Sequence, residues 1–478
     1  MSNAPASSPT SSLTSTLRAT APRYTRPPTP LRAMLIHGGV TLLWILLFAR
    51  AFGAGGLAAW SVGLAYIAYD TALVLFVFIQ TLPLLRRTPP PVGPISPVTT
   101  GVIIAARNEA AGLPATIAAL LAQTAPPTTI LVADDGSTDG TAALLRKQYG
   151  ITENAAGPLR WLRLPGGGKA QALNAALTTL TDDLVLTVDA DTLLEPTALA
   201  AMQAAFAHDP ALVAATGVLF PACGPTRSGQ LFQWFQTYEY MRNFLSRYAW
   251  GRQDGLLLLS GAFAAYRRQA VLDVGGFDPD CLVEDYELTH RMRDYAVQHG
   301  LHWTTAVVGG ARAQTEAPGA LGPFLRQRRR WFGGFLQTQL WYRHMVGSSA
   351  HGHLGTRMLP VKALDTMQPL YGLTSIALLL IAIATGAADV ALPVAGVIGA
   401  KIVLDLGFYL WSLHLYRVWL GDAARVRLGP ALAAALIEPF TFQVLRHVGA
   451  ALGWISFLTG ARSWGATARA VAQPAATP

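Results

Sequence analysis

The chain has 478 residues, too many for one ordinary domain, and a net charge of +9. Hydrophobic residues make up 52% and charged ones only 13%, against roughly 25% charged in a soluble domain. With a mean hydropathy of +0.35, this argues against a purely soluble protein and for a membrane protein with a soluble part. The excess of Lys and Arg fits loops at an anionic cytoplasmic membrane face better than nucleic acid. Two cysteines, Cys223 and Cys281, with no Cys-x-x-Cys, argue against a disulfide scaffold or a thiolate metal site. Both are expected to be buried, reduced thiols.

Residues 1–33 are rich in Ser, Thr, Pro and Ala, with Arg18, Arg23, Arg26 and Arg32 and no acid. Such a segment is expected to stay a disordered basic tail. The apolar run 34–52 reads as a membrane anchor and not as a cleaved signal, because a second run, 57–85, follows at once. Each is long enough for a hydrocarbon core, which takes about 20 residues. The arginines on the outer flanks, four in the tail and then Arg86 and Arg87, set both ends of the pair 34–87 in the cytoplasm. Asp70 is the only charge in the second run, so it should face other helices or water.

The proline-rich stretch 88–97 reads as a linker, and a cytoplasmic domain is expected over 98–345. Strands at 102–106, 129–133, 161–164 and 184–188 alternate with helices at 111–123, to about 149, and 170–180. That is the pattern of βαβ units and a parallel sheet. Beyond Thr197 come a helix at 198–207, a strand near 212–220 and an aromatic-rich helix at 232–248, suited either to a membrane surface or to the core. A strand and a turn fall within 256–266. Two further membrane helices are expected over 360–418, where Lys401 and Asp405 stand four apart and should pair. The stretch 430–460 is broken by Glu438-Pro439 and Arg446-His447, so it reads as an interfacial or bent segment. Residues 461–478 read as a tail.

Two motifs fail on spacing. Gly166-Gly167-Gly168-Lys169 suggests a phosphate loop, which needs Gly at 163 and Ser or Thr at 170; the chain has Arg163 and Ala170. Asp135-x-Ser137-x-Asp139-Gly140 suggests a calcium loop, which closes with Glu at its twelfth position; the chain has Arg146. What remains is a set of polar clusters at strand ends. Asn108-Glu109 follows the first strand, Asp134-Asp135 the second and Asp189-x-Asp191 the fourth. In open α/β sheets ligands bind at those ends. Asp189 and Asp191 suit a hard divalent cation whose shell phosphate oxygens complete. Lys169, at a helix start, suits a diphosphate. The domain therefore reads as a binder of a nucleoside diphosphate compound and a metal.

Six clusters follow one another in the chain: 102–109 (Val-Ile-Ile-Ala-Ala-Arg-Asn-Glu), 134–139 (Asp-Asp-Gly-Ser-Thr-Asp), Gly168-Lys169-Ala170, Asp189-x-Asp191, Glu284-Asp285, and 327–331 (Gln-Arg-Arg-Arg-Trp). Together, over about residues 98–336, they resemble family 2 glycosyltransferases. More narrowly they resemble the membrane-integrated processive synthases of cellulose, hyaluronan and poly-N-acetylglucosamine. The resemblance implies a GT-A-like glycosyltransferase domain, with a Rossmann-like, mostly parallel α/β sheet, flanked by transmembrane helices. It implies that Glu109 and Asp135 contact uridine, and that Asp189 and Asp191 hold the diphosphate and a Mg or Mn ion. Lys169 and Arg330 would help the diphosphate, Asp285 would be the general base, and Gln327 and Trp331 would line the acceptor site. The family usually has Thr before Glu-Asp; this chain has Val283, which loosens the acceptor assignment. Glu287 and His290 stay unassigned.

The expected enzyme is a multi-pass protein of the bacterial inner membrane with a cytoplasmic catalytic domain. It would carry out inverting transfer from a UDP-sugar to a growing β-linked polysaccharide and pass the polymer through its own helices. Expected partners are the UDP-sugar, a polysaccharide or lipid acceptor and membrane lipids, but no nucleic acid; an accessory subunit is left open. One alternative is a single transfer to a lipid, as in ceramide glucosyltransferases. Another is a non-catalytic nucleotide-binding membrane component. The chain ends soon after its last apolar segment, leaving no room for the cyclic-dinucleotide domain of bacterial cellulose synthases. That favours poly-N-acetylglucosamine- or hyaluronan-like enzymes.

Overall fold

The computed structural model describes residues 9–86, 98–421 and 426–460. Arg87, the linker 88–97, Arg425 and the tail 461–478 lie outside the described residues. The chain opens with α1 (Pro9–Thr20) and α2 (Pro22–Thr25), then the long helices α3 (Leu31–Arg50) and α4 (Ser61–Thr81). The expectation of a disordered tail is corrected from residue 9 onward. Leu13 and Leu17, one turn apart on α1, and Ala21 after it are 6%, 3% and 1% exposed, and Leu13 joins the main core. Composition alone cannot stabilise so short a helix; burying one apolar face against a folded surface can.

The sheet-bearing part of the chain runs β1 (Thr100–Ala106), α5 (Leu113–Leu121), β2 (Thr129–Asp134), α6 (Thr141–Tyr149), β3 (Leu159–Arg163), α7 (Lys169–Thr179) and β4 (Leu184–Asp189). It continues with β5 (Thr192–Leu194), α8 (Ala198–His208), β6 (Leu212–Ala222), α9 (Arg227–Gly251), β7 (Phe263–Arg267) and α10 (Arg268–Asp273). It closes with α11 (Glu284–Gln298), β8 (Thr304–Glu316) and α12 (Leu321–Trp341). One sheet has the order β3-β2-β1-β4-β7-β6-β8-β5. Its first four strands are parallel. Of these β1, β2 and β4 read as largely apolar runs because both faces are covered, whereas the edge strand β3 carries Arg160 and Arg163; every residue of β2 is buried. Beyond β4 the sheet turns mixed: β7 runs antiparallel to β4 and β6, β6 parallel to β8, and β8 antiparallel to β5. The parallel sheet read from the sequence is thus the first half of a mixed one.

The remaining helices are α13 (Leu359–Ala384), α14 (Ala388–Leu420), α15 (Leu428–Ile437) and α16 (Phe442–Leu458). Among the described residues, four helical stretches are long and apolar enough to cross a membrane: Leu31–Arg50, Gly56–Arg86, Leu354–Ala384 and Ala388–Leu420. The stretch around Glu438-Pro439 bends by 50°. Lys401 pairs with Asp405 and also with Asp70 of α4, at 2.8 Å, so one ammonium is shared by two carboxylates among apolar helices. The aromatic-rich α9 does not lie free on a surface. It packs between β6 and β8 on one side and α4, α14 and α15 on the other. The long α12 lies along α16, and Arg328 forks onto Glu239 of α9 at 2.7 and 2.8 Å. Cys223 and Cys281 are both buried and free.

Candidate active site

β1, β2 and β4 are neighbours, with Ala106 opposite Asp134 and Ala105 opposite Asp189. Their acidic ends therefore meet along one rim. The loop after β1 is tied to the loop after β2: Asn108 donates its N–H to Ser137 Oγ (2.9 Å), and its Oδ1 accepts from Thr138 N–H (2.8 Å). Asn108 takes φ +58° to do so, a left-handed conformation that Asn tolerates. Glu109 is buried in this junction, and its N–H donates to Thr141 Oγ1 (3.1 Å). Asp134, fully buried, accepts from Ser137 N–H (2.8 Å) and Trp161 Nε1 (3.3 Å) and holds the turn.

Asp135 cradles the glycine-rich loop. Its Oδ1 accepts from Gly167 N–H (2.7 Å) and Gly168 N–H (3.1 Å), and Oδ2 also accepts from Gly168 (3.0 Å). Arg107 stands 3.6 Å away. Successive backbone N–H groups make an anion nest; the loop that fails as a phosphate loop holds a carboxylate instead. Gly168 has φ +97°, which suits glycine and lets the chain turn into α7.

Lys169, the first residue of α7, lies at the centre. Its Nζ is 2.6 Å from Asp189 Oδ1, 3.4 Å from Glu284 Oε1, and donates to Gly261 O (3.4 Å). Burial opposes its charge, but Asp189 and Glu284 outweigh it and raise the ammonium's pKa. Beside it, Asp285 accepts from Gly261 N–H (2.6 Å) through Oδ2 and from Tyr286 N–H (2.8 Å) through Oδ1. Burial, then the neighbouring Glu284, push its carboxyl up to about 6 against the pull of Lys169. Asp135, the glycine loop, Lys169, Asp189, Glu284 and Asp285 thus form one chain of contacts along this rim.

Asp191 follows β4, and the hydroxyls of Thr315 and Thr192 stand 3.4 and 3.5 Å from its Oδ1. Burial, then Asp189 and Glu316, push its carboxyl up to about 7. Among the described residues, no group of three His, Cys, Asp or Glu side chains is placed to hold a metal alone. Asp189 and Asp191 offer two carboxylates whose mutual repulsion a cation would relieve, with phosphate oxygens and water as further ligands. The residues present fit a divalent ion that arrives with its substrate.

On α12, Arg330 Nη1 donates to Leu282 O (3.1 Å), which ties that helix to the loop before Glu284-Asp285. Trp331 sits half-buried in the cluster that contains Val283, Tyr286 and Phe335, with the Arg328 guanidinium 4.6 Å above its ring. Gln327 Oε1 is buried with no hydrogen-bond partner among the described residues. Two parts of the site escaped the sequence reading: the Gly261 N–H on Asp285, and the Glu284–Lys169 pair. Residue 261 had shown only as a turn, and one chain cannot tell that it meets residue 285. Glu287 and His290 resolve as structural. Glu287 pairs with Arg291 (2.8 Å) and accepts from Tyr342 O–H (2.7 Å). His290 is buried, which pushes it down to about 4 and keeps it neutral.

The family described as Glycosyltransferase like family 2 matches residues 97–334. Poly-beta-1,6-N-acetyl-D-glucosamine synthase of Staphylococcus aureus is 29% identical over 242 residues, 48% of this chain and 53% of that protein. An N-acetylglucosaminyltransferase of Mesorhizobium japonicum is 31% identical over 301 residues, 58% of this chain and 65% of that protein. The chain thus spans about half the length of the staphylococcal relatives, 53%. Among solved structures, a mannosyltransferase from Pyrobaculum calidifontis, in complex with GDP-Man and Mn2+, superposes with a TM-score of 0.53 at 20% identity. That match covers 80% of this chain and 99% of the other; at such identity what is shared is the fold. Residues 97–334 thus match the model of family 2-like glycosyltransferases and take a GT-A-like fold.

Proposed function

We propose that this chain is a metal-dependent, inverting glycosyltransferase that takes a UDP-sugar from the cytoplasm and extends a β-linked polysaccharide. In this reading it lies in a bacterial inner membrane and leads the polymer out between its own helices. The observation that carries the reading is the bridge at Lys169, which joins Asp189 on one side to Glu284, neighbour of Asp285, on the other. This supports a reading in which the donor-binding rim and the base work side by side. The relatives named for N-acetylglucosamine transfer support that sugar as the donor's.

The uridine rests by Glu109 and Asp135, and the diphosphate lies along β4 toward Asp189 and Asp191. A divalent ion held by those two aspartates, Mg or Mn, supplies positive charge that offsets the leaving diphosphate. Lys169 adds fixed positive charge beside Asp189, and Arg330 adds it from the Asp285 side. Trp331 offers a flat apolar face to the acceptor ring. The acceptor hydroxyl attacks the anomeric carbon from the face opposite the diphosphate, so configuration inverts. Asp285 takes the hydroxyl proton as the new bond forms, its carboxylate held in aim by the N–H groups of Gly261 and Tyr286.

The test is to incubate the purified full chain with a panel of UDP-sugars and Mg or Mn, then weigh the product. A ladder of polymer masses supports the reading. A single glycolipid replaces polymerisation by one transfer, and absence of UDP release with every sugar overturns the reading.

A further inference from the structure

The N-terminal arm, α1 and α2, meets the domain chiefly at the loop of residues 274–280, between α10 and α11. The backbone of Leu17 lies against Gly275, whose φ is +84° and where any Cβ would collide. Thr20 Oγ1 donates to Val274 O at 2.8 Å. Arg23 then closes a fork. Its Nε is 2.6 Å from Asp278 Oδ2, its Nη2 donates to Asp278 Oδ1 (2.8 Å) and its Nη1 to Asp280 Oδ2 (2.8 Å). The Asp278 side chain is fully buried.

The same loop is gripped from inside. Arg291 donates to Val274 O (2.5 Å) and Gly276 O (2.7 Å). Asn174 exchanges two hydrogen bonds with Phe277, at 2.7 and 2.8 Å. Asn174 belongs to α7, which begins at Lys169, and the loop runs directly into Glu284 and Asp285, the first residues of α11. The loop therefore couples two helix starts that meet across the Lys169–Glu284 pair. The arm presses on it from outside and also packs on α7.

We propose that the N-terminal arm is a positioning element of the active site, in which Leu17, Thr20 and Arg23 hold the 274–280 loop so that Asp285 is aimed at the acceptor. The inference rests on the reading of Asp285 as general base. Arg23 touches no reacting atom; it is a positioning residue. A buried Arg–Asp pair gives little stability that an apolar pair would not, whereas its forked geometry fixes orientation. The arm continues through Pro27, Pro28 and Pro30 into α3, and Arg343 donates to Thr29 and to Pro27 O (3.4 Å) along that link. A proline-rich link is stiff, so displacement of α3 reaches the loop that precedes the base.

The test compares full-length Arg23→Gln, Arg23→Lys and a variant lacking residues 1–25 with the wild type, all in one detergent. In Arg23→Gln and the shortened variant kcat falls about tenfold or more, while the donor KM stays within about twofold, because a small misplacement harms the chemical step most. Arg23→Lys recovers part of the loss, and a synthetic peptide of residues 9–30 restores the shortened variant saturably. Hydrogen exchange needs no turnover: amides of 274–286 exchange faster in both defective variants, while those of β1 and β2 do not change. Unchanged exchange at 274–286 overturns the inference whether or not the protein is active. Exchange that rises equally across the whole domain overturns it too, since the arm is then a support for folding. Failure of the functional reading looks different: the wild type itself releases no UDP.

Discussion

On the β1–β2 side of the cleft the carboxylates are held by backbone N–H groups of nearby loops, Asp135 by Gly167 and Gly168 and Asp134 by Ser137. On the other side the Asp285 carboxylate also accepts from backbone N–H groups, of Gly261 and Tyr286, but the loop that leads to it is held by groups from far along the chain. Arg23 reaches Asp278 across 255 residues, Arg330 reaches Leu282 O across 48, and α12 is itself pinned to α9 by Arg328 on Glu239. Parallel strands deliver their ends to one rim by topology alone. The second side exists only once α9, α11, α12 and the N-terminal arm have met. The difference teaches that nucleotide binding should survive damage to the outer elements, whereas transfer should not.

The sharpest test of this division is Asp285→Asn. The expected loss in kcat is about 10²- to 10⁴-fold, the range for removing a general base, with UDP affinity in a calorimetric titration unchanged. A matching loss of UDP affinity would mean that the two sides are one unit. Arg328→Ala should come next. It leaves Glu239, 4% exposed, with Arg446 at 3.7 Å as its remaining ion-pair partner among the described residues. Stranding a buried charge costs about 3–5 kcal/mol, and the remaining arginine holds this case near the lower figure. The thermal midpoint should fall and UDP affinity in the surviving folded protein should not. The double variant Arg328→Met/Glu239→Leu should recover most of the stability; if it does not, the pair contributes more than charge compensation.

The pH profile separates the sides further. A base must be ionised to act, and the Asp285 carboxyl is pushed up to about 6 by burial and then Glu284. The transfer rate should therefore fall about tenfold for each pH unit below that value. Lys169 is what pulls the carboxyl down, so Lys169→Met should move the acid limb to higher pH. An acid limb that stays in place in that variant would detach Lys169 from the base and leave it to the donor side alone.

The donor side is also the part that the sequence displays. Ile103, Ile104, Val132 and Val188 stand in unbroken apolar runs that end in acids, and Asp135, Asp189 and Asp191 could be singled out because strand ends are places of function. Elsewhere local pattern carries less. Helix α1 has two large apolar side chains, Leu13 and Leu17, and forms because a distant surface receives them. Strand β8 has Gly309-Gly310 in its middle and pairs with β6 through register shifts, so no simple alternation announces it. The Gly261 N–H on Asp285 requires β7 to lie antiparallel beside β4, a pairing that no spacing in one chain reveals.

The smallest expected effect concerns Val283, where the family usually has Thr. Val283 is the residue before α11 and provides no side-chain cap; the Tyr286 N–H is instead taken by the Asp285 carboxylate. A threonine hydroxyl at a helix start accepts from that same N–H and stabilises by about 0.5–2 kcal/mol. Val283→Thr would lose one buried methyl, a cost of about 0.8 kcal/mol, while its remaining methyl could keep the packing of Val283 against Gly334. The two contributions nearly offset, so stability should change by less than about 1 kcal/mol. The informative readout is the acid limb. If threonine takes the Tyr286 N–H, the Asp285 carboxylate loses one of the two hydrogen bonds that favour its charged form. The limb should then move up by less than about one pH unit. A fall in stability above about 2 kcal/mol with an unmoved limb would mean that the hydroxyl is buried without a partner, and that Val283 supports the base by packing on α12 alone.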